Sequence, residues 1–573
     1  MAIKNIAIIA HVDHKTTLVD ALLTQSGTMK EMEDKELIMD SNDQERERIT
    51  IYAKNTSVHY KNHTINIIDT PGHADFGSEV ERVLRMVDSV LLIVDAYEPM
   101  PQTKFVLKKS LELLNPIVVI NKVDKPTARP EWVLNELFDL FITLATDEQA
   151  SFPVVYASAK NYAFLDLSEQ EQASKTRDIS PIFDLILEKV PDAPNNPDTL
   201  FRMQVTNLYD DFIRLIRIHD TVKSGQEVLV FDQYGKTRKK ISKLFKTLLS
   251  RIEIQESQCG DIVTVAGLPN IFVGETIGVE SEPFSPLKID APTLRMDFLV
   301  NDSPFAGKEK FITSRNLRDR LEKELETNVL EIDFGENRFS VSRGELHLSV
   351  LIETMRREFE LQVSAPQVIF KEENSQQMEP IEQVIVNVED NLSGSIIEIL
   401  SNRKIMKNMN SHNGLTTLEF EVPTRLLGFR AEFILITREI FYSAFSHYEK
   451  HKEIKKRNMA MISQEKGAAM RYSIRKLQER TIFVEPATEL YEGMIVESAK
   501  PGDLIVNLIK NKQQSNMRTG KNDENMLLAP IKTLSLEDAL SYIGSDEYVE
   551  ITPKSIRLRK IYLKESDRKR SKK

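Results

Sequence analysis

A lysine followed by a threonine, Lys15-Thr16, stands between an apolar run, Ile6–Ala10, and a stretch with helical character that begins at Leu18. Strand, tight loop, Lys-Thr and helix form the setting of a phosphate-binding loop. Backbone N–H groups and the helix N-terminus hold phosphate oxygens, the lysine reaches the β- and γ-phosphates, and the hydroxyl ligates Mg2+. The candidate nucleotide-binding residues here are Asp13, His14, Lys15, Thr16 and Thr17, with Thr16 also a candidate metal ligand. The strict pattern GxxxxGK[ST] is not met, because Ala10 holds its first position and no glycine separates His14 from Lys15. A decoy, Gly235-Lys236-Thr237, lies between β-like runs with no helix after it and reads as a hairpin turn.

The next constellation is Asp69-Thr70-Pro71-Gly72-His73, at the end of the run Thr64–Ile68. An acid at a strand end holds Mg2+ through water, and Gly72 lets a backbone N–H approach a γ-phosphate. His73 then positions or polarises an attacking water. Any two of these residues would read as a proline turn. All five, about 55 residues after the lysine, read as a nucleotide switch. Thr50, in Glu45-Arg-Glu-Arg-Ile-Thr50, is a candidate second hydroxyl ligand on a segment that orders around the γ-phosphate. The candidate catalytic set is Lys15, Thr50 and His73, and the candidate metal set is Thr16, Thr50 and Asp69.

At the base end, Asn121-Lys122-Val123-Asp124 follows the run Pro116–Ile120. Asp124 accepts two hydrogen bonds from guanine N1–H and N2–H2, a donor pair that adenine lacks. Lys122 lays its aliphatic stem along the base, and Asn121 ties its loop to the phosphate loop. Ser158-Ala159-Lys160, after the run Pro153–Ala157, offers a backbone N–H to guanine O6. The order and strand-end placement of these motifs point to GTP and GDP with Mg2+.

The elements that must position them follow from hydrophobic patterning. Ile6–Ala10, Thr64–Asp69, Ser89–Val94, Pro116–Ile120 and Pro153–Ala157 alternate with helical stretches, which predicts an α/β domain with a largely parallel sheet. Pro191–Pro197, with three prolines, reads as a linker. Residues 200–289 change to short β-rich runs such as Glu227–Phe231 and Ile262–Ala266, which predicts a small β-barrel. Residues 292–370 and 379–448 each mix strands with amphipathic helices. One is marked by Leu317, Leu321, Leu325 and Val329, and another by Leu346–Phe359.

A chain of 573 residues accommodates several such domains. The single cysteine, Cys259, excludes an internal disulfide framework. No apolar run approaches the roughly 18 residues of a membrane span, and the first run is too short for a signal-peptide core, so a cytoplasmic protein is expected. A net charge of −11 argues against indiscriminate nucleic-acid binding over the whole surface. Local basic segments remain, at His447–Arg457 and Lys554–Lys573. Arg518, Lys521, Lys455, Lys456 and Arg457 are candidates for phosphate contact, and Lys569–Lys573 read as a free tail.

These motifs resemble the translational GTPases. Ser342-Arg-Gly-Glu-Leu-His-Leu348, Met355-Arg-Arg357, Ser411-His-Asn-Gly414, Leu426-Leu-Gly-Phe-Arg430 and Asn516-Met-Arg518 narrow the resemblance to the TypA/BipA family, over essentially the whole chain. The resemblance implies a P-loop GTPase domain at 1–195, a β-barrel at 199–290, ferredoxin-like α+β domains at 292–371 and 378–453, and a family-specific C-terminal domain at 454–573. It also implies a monomer that binds the ribosome at the factor site, touching large-subunit rRNA and tRNA. Ribosome-stimulated GTP hydrolysis and roles in large-subunit assembly and in stress or cold adaptation follow from the same resemblance. Two alternatives stay open: a ribosome-binding protein impaired in catalysis, and a LepA-like GTPase, against which Leu426–Arg430 and Asn516–Arg518 argue.

Set against the family pattern, the chain departs in one repeated way. It has 20 glycines, about half of what a usual content near 7% would give. Single glycines are missing between His14 and Lys15, Arg48 and Ile49, Glu98 and Pro99, Leu113 and Leu114, and Leu144 and Ala145. Others are missing at Asn161/Tyr162, Leu208/Tyr209, Ile213/Arg214, Asp220/Thr221, Ser342/Arg343, Arg425/Leu426 and Arg480/Thr481. Deletion in a strand turns every later side chain to the opposite face. The pattern is that of a gene in which one stop codon encodes glycine, translated with that codon skipped.

Overall fold

Apolar runs that are hydrophobic on both faces are buried when a parallel sheet carries helices on each side. The computed structural model builds such a sheet. It describes residues 2–10, 16–27, 53–71, 77–97, 107, 110–111, 114–144, 151–159, 161–176, 178–193, 202–209, 213–219, 221–232, 235–247, 251–269, 271, 273–279, 292–307, 311–327, 331–373, 376–401, 405–412, 415–424, 441–450, 460–477, 482–498, 504–510, 528 and 531–571. These fall into two compact units, 1–290 with 323–329, and 291–322 with 330–573.

In the first unit the chain runs β1 (Ala2–Ala10), α1 (Thr16–Gln25), β2 (Lys54–Tyr60), β3 (His63–Asp69), α2 (Gly77–Leu84), β4 (Ser89–Asp95) and β5 (Pro116–Asn121). It continues through α3 (Pro130–Leu144), β6 (Val154–Ser158), β7 (Tyr162–Phe164) and α4 (Ser180–Lys189). The sheet order is β2-β3-β1-β4-β5-β6-β7. Strands β3, β1, β4, β5 and β6 are parallel, and β2 and β7 are antiparallel edges. Ala7 and Ile9 of β1 pack into one core and Ile6, Ile8 and Ala10 into the other. The five apolar runs are β1, β3, β4, β5 and β6. The two edges carry no apolar run long enough to read: Lys54–Tyr60 is mostly polar, and β7 has three residues. Strand β2 joins β3 through Lys61-Asn62, both at positive φ (44° and 57°), the two-residue turn that suits a twisted hairpin.

Most of the rest of this unit is an eight-stranded antiparallel sheet in the order Gly235–Lys240, Glu227–Asp232, Thr276–Gly278, Arg202–Tyr209, Ile213–His219, Ile262–Ala266, Lys243–Thr247, Arg251–Ile254. Met203, Val205, Val228, Val230, Leu244, Val263, Val265 and Ile277 share its core. Among the described residues the sheet is open between its first and last strands, so the expected barrel is a half-barrel. Gly235-Lys236-Thr237 opens the edge strand of a hairpin.

The half-barrel and the parallel sheet are joined by a buried polar clasp. Asn5 Nδ2 donates to Gly260 O (2.8 Å) and to Asp88 Oδ2 (2.9 Å). Asn66 Nδ2 donates to Asn5 Oδ1 (2.8 Å) and to Asp261 Oδ1 (3.0 Å). Asp261 also takes Lys246 Nζ (2.8 Å) and Ser257 Oγ (3.0 Å). Gly260, at φ +82°, lies so close to Ala193 that a Cβ would stand 2.5 Å from the alanine's. Ala193 N–H donates to Ile3 O (2.7 Å), so the start of the proline-rich linker is stitched to β1.

In the second unit one sheet runs Glu331–Phe334, Arg338–Arg343, Leu294–Val300, Leu361–Ser364, Glu547–Thr552, Ser555–Lys560, Met494–Ser498, Ala460–Ser463, Leu504–Val506. The first α+β segment and the C-terminal segment are thereby continuous, paired from Leu361↔Ile551 to Ser364↔Tyr548. A separate sheet holds Gln376–Glu389 between Leu415–Pro423 and Phe441–Lys450, with helix Asp390–Ser401 packed on it.

Much of the basic C-terminal segment is paired, and Lys569, Arg570 and Ser571, expected as the start of a free tail, lie in a helix. Arg557 pairs with the fully buried Glu550 (2.8 Å), Arg559 with Asp302, and Lys560 with Glu547 (2.9 Å). Glu565–Ser571 is a helix with acids in its first turn and bases in its last, the charge order its dipole favours. Arg568 is buried against Tyr562 O (3.1 Å) and Lys569 pairs with Glu565 (2.6 Å). Much of this charge is neutralised internally. Among the described residues no helix is long and apolar enough to cross a membrane.

Asp261→Ala would leave the Lys246 ammonium and the Asn66 amide facing a buried gap. The expected cost is about 3 kcal/mol, checked by urea unfolding followed by circular dichroism.

Candidate functional site

Strand β1 lies between β3 and β4, so the chain leaves it to one side and returns on the other. Open α/β sheets bind ligands at the carboxyl ends of strands at such a switch point. The carboxyl ends here are Ala10, Asp69, Asp95, Asn121 and Ser158, and four of the five lead into or belong to the motifs found in the sequence.

At the phosphate end Asp69 stands opposite Ile8 in β1 and is fully buried. Thr70 donates to Ile8 O from both its N–H (3.3 Å) and its Oγ1 (2.9 Å). The Asp-Thr-Pro turn is thus fastened to β1 two residues before Ala10, where the phosphate loop departs. Thr16 opens α1, and Thr17 follows it half-buried. Asp69 supplies a buried carboxylate, and carboxylate oxygen is a hard donor of the kind Mg2+ takes. Asp13, His14, Lys15, Thr50, Gly72, His73 and Lys160 lie outside the described residues. So do Lys455, Lys456, Arg457, Arg518 and Lys521.

At the base end Asn121 is buried, and its Oδ1 accepts from Lys122 N–H (2.8 Å) and Ala159 N–H (3.0 Å). The described contacts of Asn121 tie its loop to the 158–159 loop, and the phosphate loop to which the sequence reading joins it lies outside the described residues. Lys122 takes a positive φ (65°), rare for a residue with a side chain. Its Nζ stands 3.1 Å from Asp95 Oδ2. Burial lowers the Lys122 pKa, and the Asp95 carboxylate opposes that shift. Val123 is buried and Asp124 is exposed at the loop surface. Ser158 is buried, and its carbonyl closes a turn with Asn161 N–H (2.7 Å). Asn121, Lys122, Asp124, Ser158 and Ala159 are brought onto two neighbouring strand-end loops.

Sequence reasoning passed over Asp95. Its signal was available, since it closes the apolar run Ser89–Val94 just as Asp69 closes Thr64–Ile68. It also passed over an exposed basic edge. The strand Gly235–Lys240 carries Lys236, Arg238 and Lys240 exposed on the rim of the half-barrel.

Parallel sheet, switch-point loops and half-barrel define a GTPase of the elongation-factor class. The model of the elongation factor Tu GTP binding domain matches residues 1–250, that of the elongation factor G C-terminus 376–459, and that of the TypA/BipA C-terminal domain 458–565. The chain belongs to the TypA/BipA family. It is 48% identical to the large ribosomal subunit assembly factor BipA of Escherichia coli K12, over 99% of this chain and 98% of the other. It is 49% identical to the protein of that name from Synechocystis, covering 98% of each, and 46% identical to that of Bacillus subtilis, over 99% and 97%. A crystal structure from Thermus thermophilus superposes with a TM-score of 0.53 at 15% identity, covering 78% of this chain and 97% of that one, a likeness of fold. The Escherichia coli alignment spans 602 positions against 573 residues. At least 29 positions, 602 less 573, therefore face a gap in this chain.

Asn121→Ala removes the acceptor shared by two loop N–H groups. Guanine-nucleotide affinity is expected to fall by about 1–3 kcal/mol, the cost of leaving buried donors unpaired. Equilibrium titration with a fluorescent GDP analogue checks it.

Proposed function

We propose that this GTPase acts on the ribosome, hydrolysing GTP to GDP and phosphate during assembly of the large subunit. The observation that carries the reading is the full-length similarity, at 46–49% identity, to relatives named for that role. Asp69, Asn121 and Ser158, at the carboxyl ends of strands in one sheet, accord with it. Lys15 stabilises charge on the β- and γ-phosphates, and Asp13, His14, Thr17 and Gly72 contribute to the phosphate cradle. Thr16, Thr50 and Asp69 hold Mg2+, which when bound neutralises charge on the phosphate oxygens. His73 positions the attacking water. Asp124 selects guanine, Lys122 lies along its face, and the 158–160 loop closes over its edge.

The same reading gives a cytoplasmic monomer in five parts, 1–195, 199–290, 292–371, 378–453 and 454–573, that contacts rRNA and tRNA and serves under cold and other stress. The exposed row Lys236, Arg238 and Lys240 supports contact with a polyanion.

His73→Ala is expected to keep GTP affinity and to lose ribosome-stimulated turnover by a factor on the order of 10²–10⁴. Phosphate release with and without ribosomes measures it, and unchanged turnover would refute the role.

The encoded protein, on this proposal, carries a glycine between His14 and Lys15 and at the other gaps. GTP titration of the 573-residue chain against one with glycine restored before Lys15 should show binding regained or strongly tightened. Equal affinity would favour a chain that tolerates the loss. In the gene, ordinary sense codons joined directly across residues 14 and 15 would sink the recoding idea.

A further inference from the structure

Asp95 belongs to none of the nucleotide motifs, yet it is the β4 residue in register with Asn121. Its carboxylate faces the base loop. Oδ2 lies 3.1 Å from Lys122 Nζ and 3.9 Å from Lys125 Nζ, while Oδ1 accepts from Tyr97 N–H (2.9 Å). The turn that presents Asp95 is held from behind. Ala96 N–H donates to Asn121 O and Arg129 N–H to Ala96 O, both at 2.8 Å. Arg129 Nε donates to Tyr97 O (2.8 Å), and its guanidinium lies over the rings of Tyr97 (5.0 Å) and Trp132 (3.8 Å). The acid is therefore fixed at the end of a buried strand by backbone bonds on both sides.

Lys122 is fixed from its own backbone. Its N–H is spent on Asn121 Oδ1, and its φ of 65° sets the direction in which the side chain leaves the loop. A lysine stem has several soft torsions, and holding it in one arrangement needs an anchor at the ammonium. Asp95 provides one about 10% exposed to solvent on its side chain, where the pairing is less screened than at the surface.

We propose that Asp95 is a positioning residue of the base pocket, holding the Lys122 ammonium so that the lysine stem forms a standing wall against the purine face. This rests on the guanine-site reading above. Asp95 acts through Lys122 and does not touch the nucleotide. Its contribution is therefore the same for any purine diphosphate, and it disappears once the ammonium is gone.

The test measures GDP and IDP affinities of the full-length protein by titration and by dissociation rate. It uses Asp95→Asn, Asp95→Glu, Lys122→Met and the double variant D95N/K122M. D95N is expected to weaken GDP about tenfold, mostly through faster release, with the GDP:IDP ratio unchanged because Asp124 sets it. D95E should recover much of the loss. In the K122M background D95N should cost nothing further, the signature of two residues acting as one unit. A loss that persists undiminished in K122M, or a changed GDP:IDP ratio, overturns the proposal. If D95N melts early, Asp95→Ser takes its place in the cycle. Asp124→Asn runs in parallel. A shift of its preference from GDP to XDP upholds the guanine reading, and a retained preference for GDP overturns that reading instead.

Discussion

The side-chain amides of Asn5 and Asn66 set the alignment on which the nucleotide site depends. The two residues are register partners on parallel strands, and their amides bond across the gap at 2.8 Å. Strand β1 is apolar on both faces, so hydrophobic burial by itself does not forbid a slip by one residue, as it would in a half-exposed strand. A slip would leave two buried amides without partners, at a cost of roughly 1–3 kcal/mol each. A single buried Asn fixes register in coiled coils by the same logic. With the pair in place Asp69 comes opposite Ile8, and the phosphate-end and base-end loops share one edge of the sheet.

The pair also needs the half-barrel. Asn5 and Asn66 each have donor capacity left after meeting one another, and Gly260 O and Asp261 take it up. Asp261 is in turn compensated by Lys246 and Ser257. Buried polar groups of this kind are stabilising only as a complete set. The sheet that carries the nucleotide loops therefore reaches full satisfaction only with the half-barrel docked. In the second unit, Glu550 gathers Asn301, Ser303, Tyr491 and Arg557 where two sequence segments share a sheet. The Tyr491 hydroxyl there is pushed far above its ordinary pKa by burial, with the carboxylate adding to the shift.

The glycine deficit bears on the site at one point above the rest, between His14 and Lys15. A phosphate loop needs its backbone close to the phosphates, and a residue without Cβ allows that approach. Elsewhere glycine stands where nothing larger fits. Gly260 abuts Ala193, and Gly267 lies with the place of its Cβ 2.5 Å from Ser242 Oγ.

The sequence by itself determined the class of the nucleotide domain, because phosphate and guanine recognition rest on short runs of residues at strand ends. Asp69-Thr70-Pro71-Gly72-His73 and Asn121-Lys122-Val123-Asp124 are legible without coordinates, as are the five apolar runs that became β1, β3, β4, β5 and β6. Three things were decided by tertiary structure. The edge strand β2 is mostly polar and β7 is only three residues long, so each is defined by its pairing with a neighbour and not by a hydrophobic run. The pairing of Leu361–Ser364 with Glu547–Thr552 joins residues far apart in the chain, a contact no local pattern encodes. The partners of charged groups were also hidden: Asp95 with Lys122, Asp261 with Asn66, and Arg557 with Glu550. A charge in a sequence reads as exposed until the fold shows which opposite charge or amide lies across from it, and burial, which makes that pairing matter, is a property of the assembled chain.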